Sequence, residues 1–426
     1  MTTADATRSL GDASLLDPEN LGNRFPFYSR LRREEPVRLD EKLNMYLVSR
    51  FEDIEAVLRD PLTFSMEKGF REQYAKGFQE EWREILNRDG GGFFVDHIMS
   101  DPPTHTRVRK LLENAFTPHR VKELEPRIRA VVAEAIEAAL DRGEVEAVRD
   151  IGVPITAHVI CEQMGFDASE ILPERIERWA IAINAQMGRM QTHEEMLEHA
   201  KAICDMQNTI IRYIHASEAK PGEDMISDFV HARIDDPDNP RLEFGEVVSS
   251  VKAMIAAAND ATAGMIVTIL YVLATEPDLA DRFRAAADDE RAMNRMIEEL
   301  VRREPPAHGT ARMTTRPVEL GGVMLPEGAH VLMMFASANY DEDHFPSPRT
   351  FDPERRNLGR HLGFGAGIHR CIGASLARME LKVFAQEAVR RIAAVELASP
   401  REELRYSPTI ATLTFERLPV RLRRMT

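Results

Sequence analysis

The chain has 426 residues, 43% hydrophobic and 29% charged, a balance that supplies a large core and excludes a disordered or fibrous protein. Its net charge of −15 argues against a nucleic-acid partner, because a phosphate backbone is held by clustered Lys and Arg. Three widely spaced cysteines, Cys161, Cys204 and Cys371, exclude a disulfide framework and point to a reducing cytoplasm.

Length alone suggests about two or three domains. No Gly/Ser-rich or Pro-rich linker, low-complexity tract or repeat divides the chain, so the expectation is a flexible polar tail over residues 1–20 and a single domain over 21–426. The tail has no basic-then-apolar signal sequence. Residues 253–273 approach membrane-spanning length, but Asn259 and Asp260 interrupt them, and a buried helix in a chain without a membrane role is the better reading.

In chain order, residues 25–33 read as a short helix, and the β-like runs 36–39 and 45–48 can pair as a hairpin. Ser49 and Glu52 suggest a capping box opening a helix that Pro61 stops. Residues 63–100, with three glycines in a row from Gly90, read as an irregular loop region near a ligand. Residues 101–116 form a basic helix whose spacing sets His105 and Arg109 on one face, suited to a carboxylate or phosphate, or simply solvated. Helical periodicity continues over 121–140, 155–165 and two amphipathic segments in 173–217, where Met187, Met190, Met196 and Met206 read as core or, more weakly, as a lid.

Residues 244–275 contain no proline and predict a central helix about 48 Å long. Its middle, from Ala256 to Thr262, sets small residues, an acid and a hydroxyl among hydrophobes, so a flat ligand could approach and Asp260 could handle protons. An Asp paired with a distant Arg for structure alone explains it equally well. Residues 291–303 form a helix on which Glu299 and Arg302 can pair at i and i+3, although Glu-x-x-Arg recurs at Glu146 and at Glu402. Short strands follow within 318–335, then an irregular connection over 336–362, a helix ending at residue 391, and terminal strands at 411–415 and 418–422.

Between the connection and that last helix lies Phe364-Gly365-Ala366-Gly367-Ile368-His369-Arg370-Cys371-Ile372-Gly373. The glycines let the backbone curl around Cys371. The spacing fails the dinucleotide fingerprint, since Arg370 holds the place of its third glycine, and one His with one Cys is too few for structural zinc. A thiolate that ligates iron remains, with a helix N-terminus beside it; a turn holding a simple buried Cys is as good a reading of the loop alone.

Taken together, these pieces resemble a soluble bacterial cytochrome P450, and the resemblance covers nearly the whole chain after the tail. The loop matches the family's signature at Phe364, Gly365, Gly367, His369, Cys371 and Gly373, and Glu299 with Arg302 sits at the family's distance before the cysteine. The resemblance implies a mainly α fold with a small β region, and haem b between the central helix and the cysteine-loop helix. It implies Cys371 as the iron ligand, His105, Arg109, Arg312 and His369 as partners of the haem propionates, and Arg355, in the run from Asp352, packed against Glu299 and Arg302.

One departure stands out. Where the family has Ala-Gly-x-acid-Thr to pass protons to dioxygen, this chain has Ala257, Ala258, Asn259, Asp260 and Ala261, with Thr262 one place late. One step along a helix turns a side chain by about 100°. Protons then come through water, Asn259, a substrate hydroxyl or a shifted register that brings Thr262 in. The resemblance implies a cytoplasmic, monomeric monooxygenase. It inserts one atom of dioxygen into a C–H bond of a small, largely apolar molecule, by hydroxylation or oxidative dealkylation. A separate ferredoxin and an NAD(P)H-dependent ferredoxin reductase supply the electrons. Arg107, Lys110, Arg370 and Arg378 are candidates to dock an acidic ferredoxin, or solvated surface charges. Substrate contacts are expected from 63–100, 173–217, the central helix, 307–312 and 409–413. A peroxide-driven or non-oxygenating haem-thiolate enzyme and, further off, a haem-binding sensor are the alternatives.

Overall fold

The computed structural model describes residues 10–425 except 12, 18, 21–22, 72–76, 187–190 and 407–411. Helices dominate, with ten short strands among the described residues: β1 (Val37–Asp40), β2 (Met45–Val48), β3 (Phe64–Ser65), β4 (Glu144–Glu146), β5 (Thr310–Thr314), β6 (Val318–Leu320), β7 (Val323–Leu325), β8 (His330–Met333), β9 (Ile392–Leu397) and β10 (Pro419–Arg424). The chain forms two compact units.

One unit holds Met1–Gly69, Glu299–Arg370 and Arg405–Leu413 and is built on a five-stranded sheet of order β1-β2-β8-β5-β3. β1 and β2 make the expected hairpin, with Val37 opposite Val48. β8 joins β2 in parallel, and both faces of this pair are buried, as parallel pairing requires. Val48, Val331 and Met333 face a core with Ile54 and Phe345, while the alternate residues Leu47 and Leu332 face Tyr28 and Leu31.

Leu10 and Leu15 belong to that second cluster, and Ser14 Oγ and the Leu15 N–H donate to the Asp40 carboxylate at 2.8 Å. Leu10, Ser14 and Leu15 of the expected loose tail are therefore packed; residues 1–9, 12 and 18 lie outside the described residues.

The Ser49 capping box does not form. Ser49 Oγ donates to Pro36 O at 3.0 Å, and the first N–H of helix Phe51–Arg59 is accepted by Asp341 Oδ2 at 2.9 Å, so a distant carboxylate supplies the cap. Residues 63–100 are not the irregular stretch expected: they contain β3, helices Met66–Arg71 and Gln79–Asp89, and a 3₁₀ turn at His97–Met99. Helix Gln79–Asp89 buries only Trp82 and Leu86, too few apolar positions to announce a period.

The other unit holds Phe70–Glu298, Cys371–Leu404 and Thr414–Thr426. Its central helix runs over Phe244–Thr275 as expected, packed by helices Val153–Met164, Pro173–Ala185, His193–Ala219 and Ala374–Arg391. It is long and apolar enough to cross a membrane, but 72% of its most apolar window is buried inside the protein, as in a core helix. Met196 and Met206 lie in the surrounding core with Trp179 and Ile255, which removes them as lid residues; Met187 and Met190 are outside the described residues.

A three-stranded sheet β4-β10-β9 completes this unit. β10 is the expected strand at 418–422, whereas β9 was hidden because Ile392–Leu397 continues the apolar pattern of the helix before it. At 411–415, Thr412 forms only an isolated bridge with Ala307, and Ala411 is not described.

Candidate functional site

The cysteine loop begins where two buried contacts hold Leu362 and Gly363. The Leu362 N–H donates to Asn339 Oδ1 at 2.7 Å, and a Cβ on Gly363 would lie 2.9 Å from the Val301 carbonyl oxygen. Gly365 and Gly367 adopt φ of 63° and 69°, which L side chains rarely reach, so the curl needs glycine at both. Gly373 instead caps helix Ala374–Arg391 at an ordinary φ of −82°. That helix starts three residues after Cys371, so its positive end favours a thiolate there.

Cys371 is exposed, whereas Cys161 and Cys204 are buried. Burial pushes the Cys161 thiol up to about 12 and raises Cys204 as well, so both are inert core residues. The reading of Cys371 as a buried structural thiol is overturned.

Glu299 and Arg302 are fully buried on helix Glu290–Arg303. Arg302 grips the carboxylate twice, through Nε at 2.8 Å and Nη2 at 2.9 Å. Arg355 Nε and the Asp352 N–H add bonds of 3.0 Å to Oε1, so the expected Asp352–Arg355 run does close on the pair. The Arg302 nitrogens also donate to Asn339 O and Pro348 O, both at 2.7 Å. Two guanidinium groups share this one carboxylate, and Arg355 Nη2 also donates to Ser347 O at 2.7 Å and Thr350 O at 2.6 Å, so the buried ions are hydrogen-bonded on all sides, the condition under which they are tolerated.

His105 is buried and Arg109 lies one turn along the same helix, Thr104–Leu112, where its Nε donates to Glu113 Oε1 at 2.9 Å. Arg312 is buried on β5 against Met66, with Nη1 donating to Thr310 Oγ1 at 3.1 Å. His369 ends a 3₁₀ turn, Gly367–His369, and Phe364 is half-buried beside His361. Of the four cations expected to dock a partner, Arg107 pairs with Glu246 and Arg378 forks onto Glu298 with two bonds of 2.7 Å. Those two are committed inside their unit, while Lys110 and Arg370 are exposed.

The middle of the central helix is open along one strip. Ala257 is exposed and Lys252, Ala253, Ala258, Asp260 and Ala261 are half-buried, while Ile255, Ala256, Asn259, Thr262 and Ala263 are buried. Small side chains on an open strip leave room for a flat apolar group against the helix. Burial raises the pKa of the Asp260 carboxyl, and no hydrogen bond or ion pair engages it among the described residues, so the structural Asp–Arg pair is not found. Asn259 Oδ1 accepts from Thr156 Oγ1 at 2.9 Å, which ties that side chain to the neighbouring helix.

The helix is α-helical without interruption from Phe244 to Thr275, so the register does not shift to bring Thr262 forward. Three features went unread in the sequence: Asn339, Glu380 and the pair Lys252 and Asp96. Lys252 carried a signal, as the only cation in the central helix.

A family model described as Cytochrome P450 matches residues 166–396. Cytochrome P450 107B1 of Saccharopolyspora erythraea is 31% identical over 97% of this chain and 99% of its own length. The cytochrome P450 monooxygenase PikC of Streptomyces venezuelae is 30% identical over 97% of this chain and 94% of its own. The 6-deoxyerythronolide B hydroxylase of Saccharopolyspora erythraea is 31% identical over 93% of this chain and 95% of its own. Among solved structures, CYP109Q5 from Chondromyces apiculatus superposes with a TM-score of 0.82 at 30% identity, covering 97% of this chain and 98% of that one. Matched from end to end by relatives of this kind, the chain belongs to the cytochrome P450 family of haem-thiolate monooxygenases.

Proposed function

We propose that Cys371 ligates the iron of haem b and that the enzyme inserts one oxygen atom from dioxygen into a C–H bond of a small, largely apolar molecule. The observation that carries this is the contrast among the three cysteines: only Cys371 is exposed, within a glycine curl and at the start of a helix. The open alanine strip suits a flat macrocycle, which supports the fit of the cofactor. Bound haem supplies dioxygen activation and one-electron chemistry, and a thiolate ligand favours O–O cleavage.

The protein residues then have separate tasks. Cys371 presents its sulfur, with the helix after it favouring the thiolate. His105, Arg109, Arg312 and His369 have the donor chemistry that propionates need. Asp260, its pKa raised by burial and with no hydrogen bond or ion pair among the described residues, gives and takes a proton at its carboxyl. Asn259 Oδ1 already accepts from Thr156, so ordered water or a substrate hydroxyl is the favoured completion of the path. Glu299, Arg302 and Arg355 hold the segment leading into the loop. A ferredoxin and an NAD(P)H-dependent reductase are the proposed electron source for a cytoplasmic, monomeric enzyme.

Reduced protein with carbon monoxide tests the ligand: Cys371→Ser is expected to abolish the thiolate-type spectrum, and an unchanged spectrum would refute the assignment. A second reading rests on Ala261 and the unbroken helix. With no hydroxyl after the acid, the enzyme is driven by peroxide. Faster turnover with peroxide alone than with ferredoxin, reductase and NAD(P)H supports that reading, and strict dependence on the electron chain removes it.

A further inference from the structure

Two turns before Asp260 the open strip of the central helix meets a second set of polar groups, all within the same unit. Lys252 Nζ donates to Gln207 Oε1 at 3.2 Å. Gln207, on helix His193–Ala219 and fully buried, is fixed in that orientation because its Nε2 donates to Gly90 O at 2.7 Å and Gly92 O at 2.9 Å. Asp96, in the segment after those glycines, accepts the Ile98 N–H at 3.0 Å. Phe94 packs within 3.0 Å of where a Cβ on Gly245 would lie, which seats this segment along the start of the central helix.

An ammonium and an amide are thus joined, and the Asp96 carboxylate lies on the segment whose glycine carbonyls hold that amide. Lys252 and Asp96 feel each other's charge, yet no ion pair joins them among the described residues. Both are half-buried, so each keeps surface open to a small group. Burial pushes Asp96 up to about 6 and Lys252 down to about 8, and each is drawn back by the other's charge. Two charged groups held apart and partly open each have hydrogen-bonding capacity to spare for a ligand.

We propose that Lys252 and Asp96 form the polar end of the substrate site and take a hydroxyl group of an otherwise apolar substrate. The inference rests on the monooxygenase reading above and adds the substrate's chemistry. The paired charges sum to zero, so a carboxylate would be repelled by Asp96 and an ammonium by Lys252. A hydroxyl is neutral, accepts from Lys252 and donates to Asp96. Eight residues of helix separate Lys252 from Asp260, about 12 Å along the axis.

The test uses the haem-loaded protein and two scaffolds, a twelve-carbon chain and decalin, each as hydrocarbon, alcohol, carboxylate and amine. Affinities are read by calorimetry and by the shift of the haem spectrum. The alcohol is expected to bind at least about tenfold tighter than its hydrocarbon, the factor that about 1.4 kcal/mol represents. Lys252→Met and Asp96→Asn are each expected to erase that preference, and Lys252→Gln to keep part of it. Variants count only if their thermal midpoint and carbon monoxide spectrum match the parent, with Lys252→Leu standing in for Lys252→Met if the latter does not fold. Equal binding of alcohol and hydrocarbon, preference for the acid or amine, variants that keep the preference, or no binding by either scaffold overturns the proposal. A parent with the thiolate-type spectrum would then leave the haem-thiolate reading standing.

Discussion

Arg302 Nη1 donates to the carbonyl oxygen of Asn339 at 2.7 Å, while the side-chain oxygen of Asn339 accepts the Leu362 N–H at the same distance. One buried asparagine therefore joins the Glu299 cluster to the entry of the cysteine loop. The cluster's stability and the loop's placement are coupled through it, although Arg302 and the loop share no direct bond in this chain of contacts.

The first prediction concerns Glu299. Four hydrogen bonds converge on its carboxylate, two from Arg302, one from Arg355 and one from Asp352. Glu299→Gln keeps the shape but leaves two buried guanidinium groups without a counter-charge, at a cost of about 3–5 kcal/mol. Urea unfolding of the purified protein measures it. A loss under about 1 kcal/mol, the scale of a surface pair, would mean that the cluster does not hold this unit together.

Gly363→Ala is predicted to destabilise by about 1–3 kcal/mol, the usual cost of overpacking. Its new methyl would lie 2.5 Å from Val301 Cγ1 and 2.9 Å from the Val301 carbonyl oxygen, and the backbone oxygen cannot step aside as a side chain can. Because the loop starts here, the haem-to-protein ratio should fall in the same variant. A normal ratio with normal stability would show that the loop has slack.

Asp260 and Thr262 should behave differently despite being two residues apart. Asp260→Asn is expected to slow turnover by about 100-fold, the lower range for a positioned proton donor, with little change in substrate affinity. Thr262 is buried on a helix that does not change register, so Thr262→Ala should leave turnover nearly unchanged. Steady-state rates beside spectral titrations decide this, and the opposite ranking would move the proton path to Thr262.

Glu380 gives a pH signature. It is buried in helix Ala374–Arg391, makes no hydrogen bond or ion pair among the described residues, and burial pushes its pKa up to about 8. The folded protein holds this proton more tightly than the unfolded chain, whose glutamate titrates near 4.5. The stabilising difference is present in full below that lower pKa and is lost as pH rises through the interval to about 8, on the order of 5 kcal/mol in all. Glu380→Gln should flatten this fall in stability between pH 5 and pH 8, as read by denaturant midpoints. Parallel curves for parent and variant would mean that the carboxyl is solvated.

Much of the site could be read before any coordinates. Cys371 and the pair Glu299 and Arg302 are singled out by resemblance to the family's motifs, whereas the curl of the loop glycines and both ends of the central helix follow from local rules: φ limits at Gly365 and Gly367, and an apolar run without proline. The sequence by itself determined these because each depends on neighbours in the chain. What only the tertiary structure decided are the partners that polar groups find across long separations. Asp341, not Ser49, caps the helix at Phe51; Asp40 binds the tail at Ser14; Thr156 binds the Asn259 side chain; and Gln207 orients Lys252. A buried polar group must be satisfied by whichever distant segment folding brings to it, and no local pattern names that segment.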